Sequence, residues 1–372
     1  MKNVICFIRS FFFFIRLFKP KNVDVVFYYP QHFNKSKSGN IPLFNHLIAS
    51  CEIHGVSYCL FEEPDFQVKS PRNKNAVPFD FVWFLILVLR KLSFNKKDET
   101  FNRQEQRIGA ILKSTIFRKF NFTNYIVLSQ SMLGVFRSIN PDAKLFDLQH
   151  GIIYANKESY INKNAVAKSL LENDVSVLLF GDGFKKILSN QSSYFINKAI
   201  VLGYENVQSN QKSHNKNILV TLQFTRDLSK QINNLIFKEL EDIFKTYEDS
   251  DWKFYLKNHP RFNNEVPIEN LLKYKNVYTA PSLLDDCFKL CNFHLTSYST
   301  IAFEAALLGI PTYFLKENGG HQYFQSEYSY PLSFNTLDDM MGLEPIAIEK
   351  LKNWYKQYYS PYSEATFINV LK

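Results

Sequence analysis

The sequence predicts an α/β chain of two Rossmann-like domains, each a doubly wound parallel sheet. Two patterns carry this expectation. Short β-rich runs alternate with helix-length segments along nearly the whole chain, the grammar of parallel sheets with helices on both faces. One polar stretch, residues 205–217 (ENVQSNQKSHNKN), interrupts the alternation, and the same grammar restarts after it. Length agrees, because 372 residues exceed what one hydrophobic core usually serves.

The first segment, residues 4–18 (VICFIRSFFFFIRLF), is too short to span a bilayer and carries Arg9 and Arg16 seven residues apart, on one helical face. No acid occurs before Asp24. A Phe-rich face beside a basic stripe suits a helix lying in the plane of an anionic membrane surface. A first helix packed on the body and a signal peptide are the rival readings, and no small-residue cleavage site follows the apolar run. Strands are then expected at 23–29, 56–61, 124–129, 143–148, 176–181 and 198–203. Helices are expected near 41–53, 79–92, 104–117 and 132–139. After the polar stretch, strands are expected at 217–223, 252–257, 276–280, 293–296 and 312–315, with helices at 228–247, 282–290 and 301–308. Helical segments from about 347 close the chain. The domain reading is therefore an interfacial helix at 1–22, a first domain at 23–207 and a second at 208–340. Residues 341–372 are expected to pack back on the first domain. Doubly wound sheets bind ligands at the carboxyl ends of their strands, so a central cleft between the two domains is expected to hold the site.

Composition excludes several classes. Hydrophobic residues at 46% and charged residues at 21% fit a folded globular chain. With 12 glycines it is no glycine-rich repeat protein. The net charge of +9 suits phosphate-bearing ligands or an anionic surface. There is no zinc-finger spacing and no basic run interleaved with aromatics, so nucleic acid is not an expected partner. Five scattered cysteines suggest no disulfide framework and favour the cytoplasm, and Cys287 and Cys291 read as core packing. Neither a dinucleotide glycine motif nor a Walker loop is present, so no cofactor is expected. The D-x-D at Asp249–Asp251 precedes a strand and reads as a turn, with no metal expected.

The clearest chemical signal is TSYSTIAFEAALLGIP, residues 296–311. It reads as a strand, a hydroxyl-rich turn at Ser297, Ser299 and Thr300, and a helix whose free N–H groups could bind an anion. Glu304, one turn inside, could reach a ribose. The competing reading is a plain helix cap. A second element, YLKNHPRF, puts His259 and Pro260 at the end of a strand. Gln223 and Arg226, in the loop after the first strand of the second domain, face the ligand side and could touch a phosphate. In the first domain, FDLQHG (146–151) ends a strand with His150, and imidazole suits a general base near neutral pH. A structural histidine is the competing reading. FEEPD (61–65) offers Glu62, Glu63 or Asp65 as a rival base, or a solvated turn. Asp147 is expected to face away from His150 along the strand.

The pairing of an HP element with an S-x-S-T element resembles the GT-B transferases of bacterial surface polymers. These include the polysialyl- and Kdo-type capsule transferases and the CDP-glycerol glycerophosphotransferases. The resemblance covers roughly residues 124–315. It implies that His259, Pro260, Ser297, Ser299 and Thr300 hold a nucleotide donor, that Glu304 contacts its ribose, and that His150 activates the acceptor hydroxyl. LLFGDGFKK (178–186) followed by VLGYE (201–205) also looks like this family. Two positions depart from it. Gln149 stands where the glycerophosphotransferases have Trp, which favours sugar transfer, and Tyr204 and Glu205 replace the end of a G-x-P. The expectation is a metal-independent glycosyltransferase, with His150 or Glu63 as the catalytic base. It would move a sugar from a nucleotide-sugar donor, a CMP-linked one among the candidates. The acceptor would be a capsule or lipopolysaccharide glycan, free or lipid-linked, at the inner face of the cell membrane. A CDP-alcohol polyol-phosphate transferase and a UDP-sugar epimerase are the alternatives.

Overall fold

The computed structural model describes residues 2–17, 19–34, 39–67, 71–93, 100–204, 215–224, 228–259, 266–317 and 319–372. The chain forms two units, Met1–Glu205 with Pro361–Lys372, and Asn206–Ser360. Most of the polar stretch expected as the linker, together with Pro260 and Arg226, lies outside the described residues.

Unit 1 begins with helix α1 (Lys2–Arg16), strand β1 (Lys21–Pro30), α2 (Pro42–Ile53), β2 (Tyr58–Glu63) and β3 (Val77–Pro78). Then come α3 (Asp80–Ser93), α4 (Phe101–Ser114), β4 (Phe120–Leu128), α5 (Leu133–Ile139) and β5 (Lys144–Leu148). A small hairpin, β6 (Ile161–Asn162) and β7 (Ala165–Val166), and α6 (Lys168–Glu172) lead to β8 (Val175–Leu179), α7 (Asp182–Gln191), α8 (Tyr194–Lys198) and β9 (Ala199–Val201). The seven-stranded sheet runs β3-β2-β1-β4-β5-β8-β9, every pair parallel. Strand β1 is interior, third of the seven, and Val25 through Tyr29 are wholly buried, as a strand covered by helices on both faces must be. An aromatic cluster fills one face, with Tyr125 stacked on Phe136 and Phe14, Phe61, Phe79 and Phe117 in mutual contact.

Unit 2 contains β10 (Asn217–Thr221), α9 (Lys230–Thr246), β11 (Lys253–Lys257), β12 (Val277–Thr279), α10 (Leu284–Leu290) and β13 (Phe293–Thr296). It continues with α11 (Ile301–Leu307), β14 (Thr312–Phe314), α12 (Gly320–Tyr328) and α13 (Pro345–Tyr358), and α14 (Glu364–Leu371) belongs to unit 1. Its parallel sheet has the order β12-β11-β10-β13-β14. In both sheets the order reverses beside the first strand, between β1 and β4 and between β10 and β13. These are the topological switch points where doubly wound sheets take ligands. Each unit is thus Rossmann-like, and the chain has the GT-B fold.

One expectation about the termini needs correction. The segment 341–372 does not pack as one body on the first domain. Helix α13 stays in unit 2, where Trp354 stacks on Phe303 of α11 with ring centroids 4.6 Å apart and Tyr358 contacts Tyr328. Only the last residues return, with the Ser363 N–H donating to the Leu202 carbonyl at 2.7 Å and Asn124 Nδ2 donating to Leu371 O. The N-terminal helix packs on the body, the reading set beside the interfacial one. Phe14 of α1 is buried in the aromatic cluster, and Ser10 Oγ accepts from the Phe81 N–H at 3.0 Å, at the start of α3. The Asp249 and Asp251 carboxylates of the D-x-D are exposed and paired with Lys275 and Lys216. Cys287 and Cys291 are buried free thiols.

Candidate functional site

At the carboxyl edge of the first sheet, the residues after β1, β2, β4 and β5 converge. Gln31, His32 and Phe33 form a 3-10 turn after β1. Gln31 Oε1 accepts from the Asp65 N–H at 3.1 Å, and His32 Nδ1 lies 3.2 Å from Asp65 Oδ2. The Phe33 ring stands edge-on to His150, with centroids 5.3 Å apart.

The three carboxylates expected as rivals to His150 have different fates. Glu62 is buried and fully engaged, accepting from Tyr29 OH, Asn34 Nδ2, the Asn73 N–H and Arg72 Nε. Arg72 also binds Asp80 through both terminal nitrogens, so this group is structural. Asp65 belongs to the His32 pair. Glu63 accepts from Tyr28 OH at 2.8 Å, and burial raises its pKa above the usual carboxylate range. Glu63 therefore remains the carboxylate suited to proton transfer.

Sequence reading missed the turn after β4. Ser129, Gln130 and Met132 all have left-handed backbone, with φ of 58°, 55° and 58°. Non-glycine residues adopt this region at a cost, and such strain gathers where surrounding contacts enforce it. Here the enforcing group is Asp147, whose Oδ1 accepts from the Gln130 N–H at 2.9 Å and whose Oδ2 accepts from Tyr160 OH at 3.0 Å. The turn places the exposed Ser129 hydroxyl 3.3 Å from His150 Nε2. Asp147 thus spends both carboxylate oxygens on holding the turn that carries Ser129. Its burial pushes its pKa up to about 7.

His150 itself corrects an expectation. Its ring needs tuning to serve near neutral pH, because burial, and then the nearby Lys157 ammonium, lower its pKa to about 4 against a weaker opposing effect of the Leu148 carbonyl. Nδ1 is buried without a well-formed hydrogen bond. At neutral pH the imidazole is uncharged, with a lone pair to accept a proton. A Cβ built on Gly151 would meet nothing within 4 Å, so the space beside His150 is open. Gln149 does not face this space. It is buried, its Oε1 accepting from the Phe180 N–H and its Nε2 donating to the Gly151 carbonyl, both at 2.8 Å. Its identity follows from tying β5 to β8 and says nothing of the group transferred.

At the carboxyl edge of the second sheet, Gln223 after β10 and the hydroxyl turn after β13 meet across the switch point. Gln223 Oε1 accepts from the Tyr298 N–H at 3.0 Å. Thr296 Oγ1 donates to the Thr221 carbonyl and accepts from the Ser299 N–H, and Ser299 Oγ caps the Ile301 N–H at 3.3 Å. Ser297 and Ser299 are buried, whereas Thr300 and Glu304 are exposed. The structure thus separates residues that shape the turn from residues that present groups to solvent. His259 is half-buried beyond the end of β11, with β10 between it and the hydroxyl turn. Gly320, at the start of α12, packs so tightly that a Cβ there would come within 1.8 Å of the Ser297 carbonyl oxygen. His294 lies wholly buried between Thr221 and Thr312 hydroxyls, and burial lowers its pKa to about 3.

No family model matches this sequence, and no curated protein sequence does. Solved structures are similar in fold. The UDP-GlcNAc 2-epimerase of Neisseria meningitidis, bound to UDP-GlcNAc, superposes with a TM-score of 0.53 at 14% identity, covering 94% of this chain and 99% of that one. The UDP-GlcNAc 2-epimerase of Methanocaldococcus jannaschii gives 0.52 at 13% identity, over 93% and 98% of the two chains. The glycosyltransferase SnogD of Streptomyces nogalater gives 0.51 at 12% identity, over 94% and 99%. At these identities the likeness is one of fold.

Proposed function

We propose that this protein is a glycosyltransferase. Unit 2 would bind a nucleotide-sugar donor, and unit 1 would activate the hydroxyl of a bacterial capsule or lipopolysaccharide glycan. The observation that carries the reading is the turn after β4. Strained backbone, held by a buried carboxylate, fixes a serine hydroxyl on a neutral histidine beside open space. That is a proton-handling group built into an edge suited to ligands. Thr300, Glu304 and His259 would contact the donor, with Gln223, Ser297 and Ser299 shaping the turn beneath it. Pro260 and Arg226 are kept as donor contacts by sequence alone. His150 is the proposed base and Glu63 its alternative. The apolar, basic α1 would hold the enzyme peripherally at the inner face of the membrane.

The same fold serves UDP-sugar epimerases, and a CDP-alcohol transferase would use the same two edges. A thermal-shift screen against CMP, CDP, UDP and GDP distinguishes the nucleotides, since a ligand at 100 times its Kd stabilises by about 2.7 kcal/mol. Calorimetry with the best nucleotide then tests the donor residues. His259→Ala combined with Thr300→Ala is expected to weaken binding by about 1–3 kcal/mol. Unchanged affinity in the double variant removes these residues from the donor site.

A further inference from the structure

Helix α1 is apolar on both sides. Cys6, Ser10 and Phe14 are buried against the body, while on the opposite side Val4, Ile8 and Phe12 are about half exposed, at 60%, 48% and 56%. Helix α3 packs beside it and does the same. Val82 and Ile86 are buried, and Phe84, Val88 and Leu92 are exposed, Leu92 at 74%. Edge-on contacts of Phe7 with Phe81 and Phe84, and of Phe11 with Phe81, join the two faces into one surface. Single exposed apolar residues are ordinary, but a contiguous surface of this kind marks an interaction site.

Charge identifies the occupant. Among the described residues of the two helices the one acid is Asp80, buried in its pair with Arg72, while Arg9, Arg16 and Lys91 are exposed. Among the described residues of the two helices the exposed charges are thus all cations, and an apolar face carrying them matches an anionic lipid surface. No described helix is long and apolar enough to cross a membrane. The surface also runs to the catalytic edge. On α3, Trp83 precedes Phe84, and its ring lies 5.6 Å from that of the exposed Phe66, three residues beyond Glu63 at the end of β2.

We infer that α1 and α3 together form a docking surface for an anionic bilayer, and that the acceptor reaches the β2 edge from that bilayer as a lipid-anchored glycan. The acceptor half rests on the glycosyltransferase reading; the docking half does not.

The test uses the full chain and phosphatidylglycerol-containing vesicles, with phosphatidylcholine vesicles as the uncharged comparison. Vesicle flotation is expected to show binding to the anionic vesicles, weakened about tenfold or more by Phe84→Ser with Leu92→Ser, and likewise by Val4→Ser with Phe12→Ser. Ile53→Ser, at an exposed apolar site on α2, serves as the control and is expected to bind as the parent does. All these positions are exposed, so circular dichroism is expected to show every variant folded. Full binding by the Phe84/Leu92 variant overturns the two-helix surface. So does sedimentation showing a dimer that the same substitutions dissociate, since the face would then belong to a second copy. For the acceptor, turnover is compared on one glycan free in solution and carried on a lipid in the vesicles. A preference for the lipid-borne form that the Phe84/Leu92 variant loses supports the inference, and equal turnover on both forms overturns it. Absence of transfer to either form, with docking intact, counts against the glycosyltransferase reading and the acceptor half and leaves the docking surface standing.

Discussion

His150 is the residue on which the proposed chemistry turns, and its environment changes what a pH profile reveals. An unperturbed imidazole and a carboxylate would give acid limbs well apart, near 6.5 and 4. Here burial brings the histidine down to about 4 and moves Glu63 upward, so the usual diagnosis fails. His150→Ala is expected to lower turnover about 100- to 10,000-fold while leaving nucleotide affinity unchanged. In the parent enzyme the acid limb of kcat/KM is expected near 4, where protonation removes the lone pair. Turnover in His150→Ala within tenfold of the parent moves the role to Glu63. Arg72 gives a second residue-scale expectation. Arg72→Met would leave Glu62 and Asp80 buried without their cation, at a cost of about 3–5 kcal/mol by chemical denaturation. A loss below 1 kcal/mol would show that Glu62 is not held as a structural group. The sequence singled out His150 and the Glu62–Asp65 run because a histidine or acids after a strand can be read from one dimension. It did not show which acid is consumed by Arg72, since that depends on a chain reversal ten residues on. Nor did it show Ser129, whose left-handed backbone carries no glycine to mark it.

At the scale of elements, the second unit depends on one close approach. Gly320→Ala would drive a methyl group into the Ser297 carbonyl, and the backbone must move. The variant is expected to lose stability by at least the 1–3 kcal/mol typical of overpacking, and to weaken nucleotide binding because the hydroxyl turn shifts. Parent-like unfolding and affinity would show that α12 does not brace this turn. Alternating patterns made nearly every long strand and helix legible, because burial on both faces demands apolar runs such as Val25–Tyr29. The short pieces, β3, β6, β7, α6 and α8, were not legible, being two to five residues long and set by their neighbours, and the longer helices α7 and α12 were not expected either. The ends were harder to read for another reason. Helix α1 has an apolar face for the body and another for solvent, so its pattern left the interfacial and the packed readings both open. Helix α13 carries Trp354 and Tyr358, which suit any aromatic core, and only the structure shows that the core is that of unit 2.

At the scale of the molecule, acid stability follows from buried histidines. His294, His46 and His150 are held neutral by burial, with pKa values of about 3, 4 and 4. In the unfolded chain they protonate near 6.5, so their contribution is complete above that pH and is lost as pH falls from 6.5 towards 4. Asp147 works in the opposite sense, because its raised pKa lets the folded chain bind a proton between about 7 and 3.8. Glu63, Glu105 and Glu239, raised in the same direction by burial, work in the same sense as Asp147. From pH 6.5 to 4 the thermal midpoint is expected to fall more steeply in Asp147→Asn than in the parent. Equal slopes would show that Asp147 is not buried as described. The glycosyltransferase reading itself is tested most directly by incubating the enzyme with nucleotide sugars, with and without a lipid-borne glycan, and following nucleotide and sugar by NMR. The expected result is free nucleotide released in step with sugar transfer, only when the glycan is present, and lost in His150→Ala. Interconversion of the sugar's isomers without any glycan would contradict the account and make the protein an epimerase.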